Sequence, residues 1–320
     1  MKLSAALIPV LAASTAFAAA DPALLGLAMP GATAVSGVRV DQVESSPFGQ
    51  YLLSQVPAAD PNLDRIIAAT GFDPRRDLHE IVAAAAGPGN ALVIGRGSFQ
   101  PGRISSAAIL AGATSANYNG VDILTGKRAA APANGKEAAP GAVAFLDAFT
   151  VLLGPVDAVK AAIDRHHAGT TFSGPLAQSA MQVSAGNDAW FVSSSPASFM
   201  NGKLPDQNLG NLGNALQAVL QTSGGVKFAP SGVTVSIAAV ARSAQDAQSL
   251  VDVARFLASL VQVNRDKNPG ASKIATLADA ATFSASGSVA SVSVSLPEAQ
   301  IEQLLKPDHA GPRTRRVARR

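Results

Sequence analysis

Pairs of apolar segments joined by short loops constrain the fold of this chain more than any other sequence feature. The clearest pair, residues 81–86 and 91–96, flanks Gly87-Pro88-Gly89-Asn90. So short a loop predicts an antiparallel hairpin, because parallel strands need a crossover connection of about a dozen residues or more. Further hairpins are predicted for residues 143–146 with 150–153 and for residues 225–228 with 233–241.

The order of predicted elements recurs in the two halves of the chain. Ser45-Ser46-Pro47 and Ser194-Ser195-Pro196 each follow a predicted strand, and Pro155 and Pro297 each begin a helix after the last strand of a half. We therefore expect an α+β fold of two similar lobes, each a mostly antiparallel sheet with helices packed on one face. Chance recurrence of common strand–Pro–helix joints is the alternative to duplication, and both edge-to-edge and abutting lobes are compatible with the pattern. The expected boundaries are residues 21–167 and 187–306 for the lobes, with a linker at 168–186 that is rich in Gly, Ser, Thr and Gln.

Helices are predicted in the second half at residues 272–281 and from Pro297 onward, and two further helices precede them. One covers residues 209–223, and a longer one begins at Ser243, where Asp246 completes the spacing of a capping box. The apolar residues of the longer helix repeat with a helical period, which predicts one buried side. They are Leu250, Val253, Ala254, Phe256, Leu257, Leu260 and Val261.

The first twenty residues (1–20) are typical of a secretory signal peptide. Lys2 precedes a short apolar stretch, and small residues then allow cleavage after Ala18 or after Ala20. The stretch is shorter than the roughly 20 apolar residues of a spanning helix, so cleavage is expected rather than an uncleaved anchor. The sequence thus predicts export to the periplasm or the cell exterior. It contains no cysteine, which excludes lipid attachment at a cysteine, disulfides, thiol nucleophiles and thiolate metal sites.

The net charge of +3 is concentrated at the C-terminus. Without the arginines that follow Pro307 the chain is slightly acidic, which argues against a nucleic-acid-binding body. We expect residues 307–320 to be a disordered tail, either a flexible solubilising end or an attachment to an anionic envelope surface such as lipid headgroups. The tail arginines are Arg313, Arg315, Arg316, Arg319 and Arg320.

Familiar catalytic and cofactor motifs are incomplete in this sequence. His79-Glu80 begins a zinc-protease pattern, but Ala83 stands where the second histidine belongs. Gly95-Arg96-Gly97 lacks the third glycine of a dinucleotide-binding loop. We therefore expect no cofactor and no metal, and a non-enzymatic binding or structural module of the bacterial envelope. The alternative is a hydrolase whose site is assembled only by the fold, which a close carboxylate pair or a serine beside His79 would favour.

The most distinctive segment is residues 70–78, Thr-Gly-Phe-Asp-Pro-Arg-Arg-Asp-Leu. Arg75 and Arg76 are predicted either to pair with Asp73 and Asp77 or to contact an anion. Together with the leader and the early Ser-Pro-Phe helix, this segment resembles uncharacterised bacterial secreted proteins with a two-lobed α+β body. The resemblance covers about the first hundred residues, and it implies no activity and no catalytic residues.

Overall fold

The computed structural model describes residues 19–55, 61–126, 141–194, 217–229, 231–263, 265 and 269–305. These residues form one 12-stranded sheet with the order β11-β12-β10-β9-β8-β1-β2-β3-β7-β6-β5-β4. Each pairing in it is antiparallel. The predicted α+β class is therefore confirmed.

The strands of the first half are β1 (Ala34–Arg39), β2 (Leu78–Ala85), β3 (Ala91–Gly97), β4 (Thr114–Tyr118), β5 (Val121–Thr125), β6 (Gly141–Phe145) and β7 (Thr150–Pro155). Those of the second half are β8 (Ala189–Ser193), β9 (Val219–Ala229), β10 (Gly232–Ala241), β11 (Ala281–Ser286) and β12 (Val289–Leu296).

The first half contains the helices α1 (Pro22–Gly26), α2 (Val40–Ser45), α3 (Pro47–Gln55), α4 (Pro61–Thr70), α5 (Pro74–Asp77), α6 (Pro101–Leu110) and α7 (Val156–Ala168). The remaining described helices are α8 (Pro175–Gly186), α9 (Ala244–Val263), α10 (Pro269–Asp279) and α11 (Glu298–Leu305).

The two halves meet edge to edge, because β1 pairs with both β2 and β8. Outward from this junction the order is β1-β2-β3-β7-β6-β5-β4 on one side and β8-β9-β10-β12-β11 on the other. Each half thus places its first three strands in sequence and then its last hairpin in reverse order, and the first half adds β5 and β4 at its outer edge. This matches the recurrence in the sequence, while duplication itself stays a prediction.

The apolar core lies on different faces of the sheet in the two halves. In the first half, the buried side chains of Val35, Ile94 and Leu152 lie on one face with α1, α7 and α8. Directly opposed residues of antiparallel strands share a face. Following the register across β8 and β9, this face becomes rich in serine, whereas Ala290 and Phe283 pack against α9 on the opposite face.

Two predicted segments differ from the structure. Residues 168–186, expected to be a linker, contain α8, whose Ala177, Ala180 and Ser184 are buried against β8. Of the helix expected at 209–223, residues 209–216 lie outside the described residues, and residues 219–223 belong to β9. The reason is tertiary: β9 pairs with both β8 and β10, and these ladders outweigh local helix propensity.

A buried carboxylate stabilises the junction between the halves. Asp188 precedes β8, and its side chain is fully buried. Its Oδ1 lies 2.5 Å from Arg39 Nη2 and 3.2 Å from Lys227 Nζ, while its Oδ2 accepts the Phe228 N–H at 2.8 Å. The ion pairs therefore connect the end of β1 to β9 across the start of β8.

Candidate functional site

Arg75 and Arg76, the predicted anion contacts, are each paired with a carboxylate of their own turn. Arg75 donates from Nε and Nη2 to Asp73 at 3.0 and 3.1 Å, and Arg76 donates from the same atoms to Asp77 at 2.7 and 2.8 Å. These hydrogen bonds lower the pKa of both carboxyl groups below the usual value. The arrangement corresponds to the local pairing that the sequence left open as an alternative.

A cavity of about 150 Å³ lies beside this turn. Phe72 and Phe99 supply apolar walls, with ring centroids 5.3 Å apart. The other lining residues are Thr70, Gly71, Arg76, Asp77, Ser98 and Gln100. The cavity therefore combines two aromatic rings with a charged and polar rim.

Ser98, which lines this cavity, belongs to a chain of hydrogen-bonded side chains that sequence reasoning missed. His79 Nε2 lies 3.3 Å from Ser98 Oγ, and His79 Nδ1 lies 2.9 Å from Asp41 Oδ1. An ionised carboxylate only accepts hydrogen bonds, so Asp41 favours the imidazole tautomer with the proton on Nδ1. Nε2 is then the acceptor for the Ser98 hydroxyl proton.

The backbone explains how these three residues meet. His79 lies at a register shift in the β2–β3 ladder, where Leu78 pairs with Gly97 and Glu80 pairs with Arg96. Such a bulge changes the direction of a side chain relative to the regular strand. Ser98 directly follows β3, and its N–H donates to Asp77 O at 2.7 Å, which holds its backbone next to the start of β2.

Three residues after Ser98, α6 begins at Pro101. The first N–H groups of an α-helix have no acceptor within the helix, and this end carries the positive partial charge of the macrodipole. The Arg103 guanidinium lies against Gly71 on the rim of the cavity: a Cβ built on Gly71 would come within 2.6 Å of Arg103 Nη1. A positive charge therefore lies at the Gly71 rim of the cavity, and the N-terminus of α6 follows Ser98 closely in the chain.

A second candidate surface lies on α9 and α10, which pack against each other and are linked by Gln262 Nε2 to Ala275 O at 3.0 Å. We call it the apolar helical surface. Its residues are Phe256, Leu257, Leu260 and Val263 on α9, and Ile274 and Leu277 on α10. All six are exposed, with Val263 at 82% and Phe256 at 55%. The periodicity of α9 was predicted correctly, but its expected burial is wrong for Phe256, Leu257 and Leu260, since Ala247 and Val251 make its buried contacts.

The predicted tail arginines and the first eighteen residues lie outside the described residues. The described chain begins next to the core: Ala20 is fully buried, and its N–H donates to Ser184 Oγ at 3.0 Å. The next residue, Asp21, donates its N–H to Glu80 and pairs through its side chain with Arg96. Residues 20 and 21 therefore belong to the folded body.

The described part of the chain contains neither a metal-binding cluster nor a helix that could span a membrane. No group of three or more His, Asp or Glu side chains there is arranged to hold a metal ion. Among the described helices, none has the length and apolar character needed to cross a membrane.

Comparisons with known proteins bear on the fold of this chain and give no information about its chemistry. No protein-family model matches the chain, and no curated protein matches it. Crystal form IV of TP0453 is similar with a TM-score of 0.50 and 11% identity, covering 90% of this chain and 97% of that one. Crystal forms I and III of TP0453 give TM-scores of 0.48 and 0.49 at 10% and 11% identity, and each covers 89% of this chain with 96% and 97% of their own length. At this identity, the similarity to form IV indicates a shared fold alone.

Proposed function

We propose that this chain is an exported protein of the bacterial envelope that acts as a binding module and attaches to an anionic lipid surface. The observation that carries the proposal is the exposed apolar helical surface on α9 and α10. Fully burying an exposed large apolar side chain stabilises an association by about 1.5–3 kcal/mol, and burying the exposed parts of six such side chains on neighbouring helices would stabilise one further.

The chemistry of the chain favours a lipid surface as that partner. Between Phe256 and Val263, α9 contains no charged residue, which suits contact with acyl chains. The sequence then places five arginines among its last eight residues, and each adds about 1 kcal/mol of attraction near an anionic bilayer. The binding of a helix to a membrane surface increases with the apolar area that it buries and with electrostatic attraction to anionic lipids, and this chain offers both.

Export rests on the leader, and the start of the folded body favours one of its two cleavage sites. Cleavage after Ala20 would remove a fully buried residue and the hydrogen bond to Ser184 Oγ. Cleavage after Ala18 keeps both, so we expect a mature chain that begins at Ala19. Intact mass measurement of the protein recovered from the medium or periplasm tests this, and a chain that begins at Asp21 would contradict it.

Vesicle flotation tests the attachment. Mature protein is mixed with vesicles of phosphatidylcholine alone or with phosphatidylglycerol added, at low and high salt. Phe256→Asp with Leu260→Asp should lower binding at least about 10-fold, since the exposed halves of two large side chains contribute about 1.5 kcal/mol or more. Leu110→Asp is the matched control, because Leu110 is an 89% exposed leucine on α6 and does not belong to the apolar helical surface.

A chain that ends at Lys306 separates the two contributions. It should lose the preference for phosphatidylglycerol and the salt dependence while keeping the residual apolar binding. If the wild-type protein and the double variant bind vesicles equally, the apolar helical surface is not the attachment site and the proposal fails.

A further inference from the structure

We infer that Asp41, His79 and Ser98 form a serine esterase site that hydrolyses short-chain acyl esters. The three side chains are hydrogen-bonded in the order Asp–His–Ser, at 2.9 Å from Asp41 to His79 and 3.3 Å from His79 to Ser98. In this order the carboxylate orients the imidazole, and the imidazole removes the serine proton. The inference goes beyond the proposed lipid attachment, which uses other residues in the second half of the chain.

The nucleophile is accessible and has a base in reach. Ser98 is exposed and lines the cavity, and its backbone is held by the N–H bond to Asp77 O. A hydroxyl is a weak nucleophile until a neighbouring base takes its proton. The distance of 3.3 Å from Ser98 Oγ to His79 Nε2 is at the loose end of this geometry, as is common before substrate binds.

The cavity determines the substrate class. Its volume of about 150 Å³ is enough for a short acyl group, and the cavity is partly open to solvent. Phe72 and Phe99 provide the apolar contacts for that group. We assign stabilisation of the carbonyl oxygen, which becomes negative in the transition state, to the start of α6, next to the lining residue Gln100, and to Arg103, which lies against Gly71 on the cavity rim.

The reaction proceeds in two steps, acylation of Ser98 and hydrolysis of the acyl group. Ser98 Oγ attacks the ester carbonyl carbon while its proton moves to His79 Nε2, and the departing alcohol oxygen takes that proton as its bond to the acyl carbon breaks. Water then attacks the acyl group on Ser98 and gives a proton to Nε2. The carboxylic acid leaves as Ser98 Oγ regains the proton. Asp41 is a positioning residue, since it contacts only His79.

Exposure limits the rate that this site can reach. The Asp41 side chain is 60% exposed and that of His79 is 39% exposed. Water therefore screens the charge that stabilises the imidazolium, and the hydroxyl competes with water for the imidazole. The expected activity is that of a slow esterase, which makes covalent labelling a sharper test than turnover alone.

The test combines a fluorophosphonate probe with hydrolysis of p-nitrophenyl butyrate by the full-length protein in buffer without lipid. The probe should modify Ser98, as identified by peptide mass spectrometry, and the label should disappear in Ser98→Ala. Ser98→Ala and His79→Gln should each lower kcat/KM at least about 100-fold. Asp41→Asn should lower kcat and leave KM unchanged, a split that general loss of structure would not produce.

Ser106→Ala is the matched control, since Ser106 is an exposed serine on α6 whose hydroxyl donates to Gly102 O. It should keep the wild-type rate and labelling. The inference is overturned if the probe modifies Ser98 of the native protein no faster than Ser98 of heat-denatured protein, or if Ser98→Ala hydrolyses the ester at the wild-type rate. Because the assay contains no vesicles, failure here leaves the lipid proposal standing, and failure of flotation leaves this inference standing.

Discussion

Replacing Asp188 with alanine should destabilise the protein more than almost any other single change of a charged residue. The substitution leaves Arg39, whose side chain is 12% exposed, and Lys227 without their shared buried carboxylate, and leaves the Phe228 N–H without its acceptor. Removing one partner of a buried ion pair costs about 3–5 kcal/mol, because the remaining charge stays desolvated. At about 2 °C per kcal/mol for a large domain, the melting temperature should fall by about 6–10 °C.

Differential scanning calorimetry of wild type, Asp188→Ala and a matched surface variant measures this effect. Asp252 provides the control: it is 61% exposed on α9 and lies 3.8 Å from Arg255. An exposed pair of this kind contributes about 1 kcal/mol or less, so Asp252→Ala should lower the melting temperature by no more than about 2 °C. Equal shifts in the two variants would refute the argument that the buried carboxylate stabilises the junction of the two halves.

Two further predictions concern the first half. Gly37→Ala would place a Cβ 2.7 Å from the Trp190 ring and should lower the free energy of unfolding by about 1–3 kcal/mol, measured by urea unfolding with tryptophan fluorescence. Gly31→Ala is the control and should be nearly neutral, because a Cβ there would have no atom within 4 Å. Similar urea midpoints for the two variants would contradict this prediction. Burial, with the nearby Asp21 carboxylate, raises the pKa of Glu80 above its usual 4.5. Between the two pKa values, the folded protein keeps a proton that the unfolded chain has lost. The stability of the wild type should therefore fall relative to that of Glu80→Gln as the pH rises above about 4.5 through the raised pKa. If the urea midpoints of the two proteins change in parallel across that range, the pKa of Glu80 is not raised.

The sequence predicted elements of this fold well where residues close together in the chain determine the structure, as in hairpin loops and helix caps. The β2–β3 hairpin forms around the loop that begins at Gly87, and Ser243 Oγ accepts the Asp246 N–H at 3.1 Å as the capping box requires. Both features depend on residues close together in the sequence. The segment 219–223 failed for the opposite reason, since its strand conformation depends on partners in β8 and β10 rather than on its own residues.

Burial was harder to predict than periodicity. The stripe on α9 has the spacing of a buried helical face, yet the sheet beneath it is contacted through small residues such as Ala247 and Ala290. Small residues permit close approach over a narrow contact, so the larger side chains from Phe256 onward remain outside it. A sequence gives the apolar arc of a helix, but the width of the contact depends on the facing element.

The Asp41–His79–Ser98 chain could not be found from sequence because no motif spacing connects its members. Asp41 and His79 are 38 residues apart, and His79 and Ser98 are 19 apart. Their meeting depends on β1 pairing with β2, on β2 pairing with β3, and on the register shift at His79. The sequence supported only a conditional expectation, that a serine beside His79 would favour a hydrolase. The pairing of β2 with β3 places Ser98 beside His79 and so meets that condition.

The two proposed activities belong to different halves of one sheet, and this separation makes them experimentally independent. The esterase site lies at the β2–β3 end of the first half, whereas the apolar helical surface lies on α9 and α10, and α9 packs on β10, β11 and β12. Substitutions in the two sites should therefore behave additively when combined, because substitutions without shared contacts couple by less than about 0.5 kcal/mol. Ser98→Ala combined with Phe256→Asp and Leu260→Asp should lose esterase activity and vesicle binding, each to the extent seen in the separate variants. A larger combined loss would mean that the junction at Asp188 transmits changes between the halves, and Asp188→Asn should then alter that coupling.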